Sequence, residues 1–184
     1  MDQSELVEAV SEAGGAAVAP VDLRKELEEF LKRLNIETTC IEHPEVFTVE
    51  EMMPHVSHLS GVVTKNLFLK DKKRRVFLVC VRHDRPLALG ELSRRLGAPN
   101  LRLAEERLLL EKLRVRQGCV TPLALFLDTE RSVTAVLDRE LTHGGHTHIH
   151  CHPMTNSATM GITPADLLRF LEETQHTPVI LSFD

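Results

Sequence analysis

The sequence predicts an α+β domain. Two β-rich apolar runs flank a charged turn in VVTKNLFLKDKKRRVFLVCV, helical periods are scattered between such runs, and no regular βαβ alternation connects them. At 184 residues and 42% hydrophobic, the chain can fill one core. The expected organisation is a leader over residues 1–20, broken by Gly14-Gly15 and Pro20, and a single domain over 21–184.

The elements follow in order. VDLRKELEEFLKRLN places Leu23, Leu27, Phe30, Leu31 and Leu34 on one helical stripe, with Asp22 as N-cap and Asn35 as stop. IETTCIEH alternates like a strand. Thr48-Val-Glu-Glu is a capping-box pattern that opens a short helix through Met52 and Met53, which Pro54 bends or ends. Asp71 to Arg74 turns the next two strands into a hairpin. Amphipathic helices are expected at Gly90–Leu96 and Leu103–Leu113, then a tight loop at Gly118–Pro122 and a strand in LALFL. Asp128-Thr-Glu-Arg leads into a second hairpin strand, Val133–Leu137. Thr163-Pro164 starts a helix over Ala165–Thr174, and Pro178–Ser182 closes the chain as a strand.

Composition narrows the function classes. The acidic N-terminus lacks the basic and apolar regions of a secretory signal, and no stretch nears the roughly 18 apolar residues of a membrane span. A cytoplasmic protein without membrane partners is expected. Cys40, Cys80, Cys119 and Cys151 show no CxxC spacing, which favours free buried thiols. A net charge of −5 argues against indiscriminate nucleic-acid binding. Yet Lys65 to Arg75 holds six cations and one acid, and a second basic stretch runs from Arg94 to Arg116. Such patches are either solvated faces or docking places for a phosphate-rich partner.

Chemistry-bearing residues are few. His143, His146, His148, His150 and His152 crowd one segment, but Cys151 falls on the opposite face of the expected strand and no acid completes a ligand set, so no metal is expected. Lys65 lies mid-strand, either at a solvated edge or as a fixed ammonium at a cleft floor. Gly118–Pro122 is either a plain turn or a loop whose N–H groups converge on a carbonyl oxygen. GxSxG, Walker-type and HExxH patterns are absent, leaving nucleophilic serine or cysteine chemistry without support.

Four strings then occur in a telling order: HPEVFTVEEM, TKNLFLKDKK, GCVTPLAL and HPMTNSAT. In that order they resemble the YbaK/prolyl-tRNA-synthetase-associated editing family, and GITPADLLRFLEETQHTPVI resembles the closing segment of its ProX subgroup. The resemblance runs from about Asp22 to the end. It implies a mixed, partly closed β-barrel with flanking helices and a cleft for the aminoacylated end of tRNA. By the same resemblance, Lys65, Gly118 and Thr121 are the catalytic positions. Asn66, Cys119, Val120, Pro122, His152 and Asn156 bind substrate, and no cofactor is needed. The implied activity is hydrolysis of mischarged alanyl-tRNA(Pro), with cysteinyl-tRNA(Pro) as the alternative substrate and prolyl-tRNA synthetase as a further partner. A silent module that binds tRNA or the synthetase is the reading from outside the enzyme class.

Overall fold

The computed structural model describes residues 22–184, so the leader expected over 1–20 lies outside the described residues. Its elements are α1 (Leu23–Arg33), β1 (Thr39–Glu42), α2 (Val49–Val56), β2 (Val62–Lys70), β3 (Val76–Arg82), α3 (Leu89–Leu96), β4 (Arg102–Leu103) and α4 (Glu106–Leu113). A 3-10 helix follows (Pro122–Leu127), then β5 (Val133–Asp138), α5 (Arg139–His143), β6 (Ile149–Cys151), β7 (Ala158–Ile162), α6 (Pro164–Glu173) and β8 (Val179–Leu181).

Local signals act as their chemistry dictates. The Asp22 side chain accepts the Lys25 N–H at the start of α1, and Asn35 takes a left-handed φ of 56° just past its end. Thr48 accepts the Glu51 N–H, while the Glu51 carboxylate reaches back to the Phe47 N–H rather than to the cap residue itself. Thr163 caps α6, with Pro164 at its first position. Asp71 Oδ1 accepts the N–H groups of Lys73 and Arg75 and holds the β2–β3 turn closed.

The eight strands form one mixed sheet in the order β1-β7-β6-β2-β3-β5-β8, with β4 added beside β2. Its β2–β3 centre is an antiparallel hairpin, whereas β6–β2, β3–β5 and β5–β8 are parallel. The edge strands β1 and β8 are not paired with each other among the described residues, so the barrel is open.

Both faces of β3 are covered, which is why all but its last residue are buried. Val76, Leu78 and Cys80 join a core with Leu27, Leu123 and Phe170, beneath α1, the 3-10 helix and α6. Phe77, Val79 and Val81 point the other way, toward Leu92 and Leu101. A third cluster packs Met52 and Val56 of α2 onto Val63 at the start of β2.

Several expectations need correction. LALFL is a 3-10 helix, not a strand: Thr121 caps it and Pro122 starts it, and a short, wholly apolar run carries no period to tell the two apart. Because that segment crosses over the sheet, β5 runs parallel to β3 instead of forming a second hairpin. The helix expected over Leu103–Leu113 begins at Glu106, since Arg102 and Leu103 pair with β2. Pro54 does not end α2, which continues to Val56. All four cysteines are free, but only Cys80 and Cys151 are buried.

Candidate functional site

The site originates in an interruption of the sheet. Along one edge of β2, Val62 and Val63 pair with β6, while Leu69 and Lys70 pair with β4. Between them, among the described residues, no strand covers Lys65, Asn66 and Leu67 on that edge. Val62 donates its N–H to His148 and Phe68 accepts from Ala104 at this edge. The peptide groups of Asn66, in phase with both, therefore face the gap.

A cleft of about 420 Å³ fills the gap. Its floor is β2 from Thr64 to Phe68. One wall is the start of α2, with Phe47, Thr48, Val49 and Met52. The opposite wall is Leu103 to Glu106 with Leu109, and Gln117, Gly118, Val120 and His152 complete the lining. Of the residues singled out from sequence, Lys65, Asn66, Gly118, Val120 and His152 thus meet in one cleft. Cys119, Thr121, Pro122 and Asn156 stand behind its surface.

Each residue is held in a definite way. Lys65 shares a strand face with Leu67 and Leu69, and its ammonium donates to the Arg85 carbonyl. That leaves two of its three donors for a ligand. Asn66 Nδ2 donates to Thr64 Oγ1 and to the Val120 carbonyl, 3.2 Å away, tying the 118–121 loop to the strand. Its Oδ1 is buried without a partner among the described residues.

Gly118 has φ +91°, a conformation that L side chains resist, while an added Cβ would only brush Phe47 Cδ1 at 3.4 Å. Conformation, not crowding, calls for glycine here. The Cys119 N–H is spent on the Arg116 carbonyl, whereas the N–H groups of Gly118, Val120 and Thr121 have no acceptor among the described residues. Burial pushes the Cys119 thiol up, against a backbone hydrogen bond from Asn156. Such a thiol stays protonated and is a poor nucleophile. The Thr121 hydroxyl accepts from the Leu123 N–H, and its side chain faces the fully buried Cys151, whose thiol burial pushes up to about 12.

His152 Nδ1 donates to the Ala158 carbonyl at 2.9 Å, which leaves Nε2 as an acceptor. Burial lowers its pKa, the Ala158 hydrogen bond opposes that, and nearby His43 adds to the lowering. These surroundings favour the neutral imidazole. Asn156 is a brace: Nδ2 donates to the Val46 carbonyl at 2.8 Å, and its own carbonyl accepts the Val46 N–H.

The other histidines do not join the cleft lining, although the His148 and His150 rings stack with centroids 6.3 Å apart. His146 bonds Glu140, and His150 bonds the Ser60 carbonyl. The strand spans only Ile149–Cys151, so the alternation expected across the run develops only between His148 and His150. No three His, Cys, Asp or Glu side chains converge as a ligand set among the described residues.

Sequence reasoning missed Phe47, Met52, Gln117 and the Glu105-Glu106 pair as lining. Phe47 carried a signal, a large apolar residue directly before an N-cap, and the structure leaves it 64% exposed. Glu105, Glu106 and Gln117 carried none.

Comparison with known proteins identifies the family. Residues 43–170 match the aminoacyl-tRNA editing domain family. The chain is 54% identical over 166 residues to prolyl-tRNA synthetase associated domain-containing protein 1 of Xenopus laevis, covering 89% of this chain and 98% of that one. It is 33% identical over 148 residues to the prolyl-tRNA editing protein ProX of Acetoanaerobium sticklandii, covering 80% and 89%. A solved structure described as a candidate trans-editing enzyme for prolyl tRNA synthetase superposes with a TM-score of 0.65 at 21% identity, over 89% of this chain and 98% of that one, which speaks for the fold. The match over residues 43–170 and these relatives lead to one conclusion: the chain belongs to the aminoacyl-tRNA editing domain family.

Proposed function

We propose that the protein is a trans-acting deacylase that hydrolyses the ester of alanyl-tRNA(Pro). The observation that carries this reading is the meeting of Lys65, His152 and the free N–H groups of the 118–121 loop around one open stretch of β2. An aminoacyl ester is already activated, so its hydrolysis needs a placed water and a cradle for negative charge rather than a strong nucleophile.

Lys65 keeps one hydrogen bond to Arg85 and offers its remaining donors to the phosphate of the terminal nucleotide. Water, oriented by the free ribose hydroxyl of the substrate, adds to the ester carbonyl. The free N–H groups of Gly118, Val120 and Thr121 receive the resulting oxyanion. Collapse breaks the bond to the ribose oxygen, which leaves as a hydroxyl carrying the proton from water. Pro122 has no N–H and shapes the loop. Neutral His152 walls the amino-acid end, with Asn156 behind it.

Such an enzyme answers a physical need. A synthetase pocket shaped for proline discriminates against alanine by only about 1–3 kcal/mol per missing methylene. A second cleft that takes the small side chain and excludes the ring supplies the rest. The test is a panel of alanyl-, cysteinyl- and prolyl-tRNA(Pro) with the purified protein. Release of alanine with prolyl-tRNA spared is the expected result. Equal alanyl and prolyl rates sink the size sieve, and a cysteinyl preference moves the substrate assignment. Tight tRNA binding without hydrolysis makes the protein a binding module.

A further inference from the structure

The fold brings together basic residues that lie far apart in sequence. The β2–β3 turn carries Lys72, Lys73 and Arg74, all exposed. It rests on the segment before β4: Lys72 N–H bonds the Pro99 carbonyl at 2.8 Å, and Arg75 Nη2 bonds the Gly97 carbonyl at 2.7 Å. The β2–β4 register sets Arg102 opposite Lys70. Among the described residues, Lys72, Lys73, Arg74 and Arg102 have no carboxylate partner, unlike Lys70 with Glu105 and Arg75 with Asp71.

The surface is also rigid. Asp71 is buried, and its carboxylate gathers two backbone N–H groups and the Arg75 guanidinium, so the cations stand on a fixed turn. Six cations against Asp71 and Glu105, on a chain of net charge −5, is strong local segregation. It is continuous with the cleft, because β4 is both the cleft wall, through Leu103, and the strand beneath the patch. From Lys65 to Lys70 the strand advances about 17 Å, the span of a few nucleotides.

We propose that the β2–β3 turn and β4, through Lys72, Lys73, Arg74 and Arg102, form the docking surface for the phosphate backbone of the RNA whose 3′ end occupies the cleft. The inference rests on the aminoacyl-tRNA reading above and adds to it where the body of the substrate lies. Phosphates are the matching chemistry: cations on a braced turn and the strand beside it, without carboxylate partners among the described residues, release counterions from a polyanion without base-specific contacts.

The test compares wild type with Lys72→Glu/Lys73→Glu and with a charge-matched control on α1, Lys25→Glu/Lys32→Glu. Uncharged tRNA(Pro) is titrated onto each at several salt concentrations, and hydrolysis is followed on alanyl-tRNA(Pro) and on an alanyl ester of a CCA trinucleotide. The turn variant is expected to bind tRNA roughly tenfold or more weakly, with a log–log salt slope shallower by about two. It should hydrolyse the trinucleotide ester at the wild-type rate, and the control should match wild type throughout. Unchanged affinity and slope in the turn variant overturns the docking surface while leaving the deacylase reading intact. Equal losses in both variants also overturn it, since bulk charge then accounts for the binding. If wild type neither binds tRNA nor cleaves either ester, the deacylase reading fails and the docking surface falls with it.

Discussion

The two edges of β2 are built to opposite ends. On the β3 side the ladder is unbroken from Thr64↔Arg82 to Lys70↔Val76, and β5 and β8 extend it. On the other side pairing stops after Val63 and resumes only at Leu69. The first edge satisfies its peptide groups within the protein, which is what a stable sheet requires. The second leaves mid-strand peptide groups and polar side chains facing a cleft, where a ligand can satisfy them. On the proposed function, stability belongs to the continuous side and activity to the gap, so substitutions on the two sides should separate in what they change.

The largest effect is expected on the continuous side. Leu137 of β5 is fully buried, and Leu137→Ala should lower unfolding stability by about 2–5 kcal/mol. The alanyl-over-prolyl preference of the protein that remains folded should not move. Denaturant unfolding alongside the deacylation panel measures both, and a change in preference would erase the distinction between the edges.

Across the gap the pattern should reverse. Lys65→Ala should reduce kcat/KM by ~100-fold, the scale of losing a charged positioning contact, while the unfolding midpoint stays near that of wild type. Lys65→Arg should rescue only in part, because a planar fork reaches differently from a point charge. Wild-type turnover by the alanine variant would remove Lys65 from the mechanism.

His152→Ala tests the wall of the gap. Enlarging the space beside Gly118 should cut the alanyl-over-prolyl preference by about tenfold, within the 1–3 kcal/mol typical of relieving an overpacked contact. Loss of rate with preference intact would assign His152 to catalysis and leave the sieve to other residues.

The smallest effect is a pH dependence. Burial lowers the pKa of His150 and His152 below the ordinary 6.5. The unfolded chain then takes up more protons than the folded one beneath that value, so stability falls as pH drops below about 6.5 and is at its full value above it. Thermal unfolding between pH 5 and 8 should show this, and His152→Gln should flatten part of the slope. A midpoint unchanged over that range would mean that both imidazoles are solvated.

How much of this was legible depended on the range of the signal. The Asp22, Thr48 and Thr163 caps, the Asp71 turn and the alternation in β2 and β3 act within a few residues, so the amino-acid order alone determined them. The four ordered motifs likewise determined the family. Where a segment is wholly apolar, as in LALFL, no period survives, and Pro122 together with the sheet beneath decided for a 3-10 helix. The parallel partner of β5, the gap between β6 and β4, and the company Phe47, Gln117 and Glu105 keep with Lys65 are long-range pairings. They follow from which strand edges remain free once the core has packed. No local pattern encodes that choice, because it is made by competition among distant segments for the same hydrogen bonds.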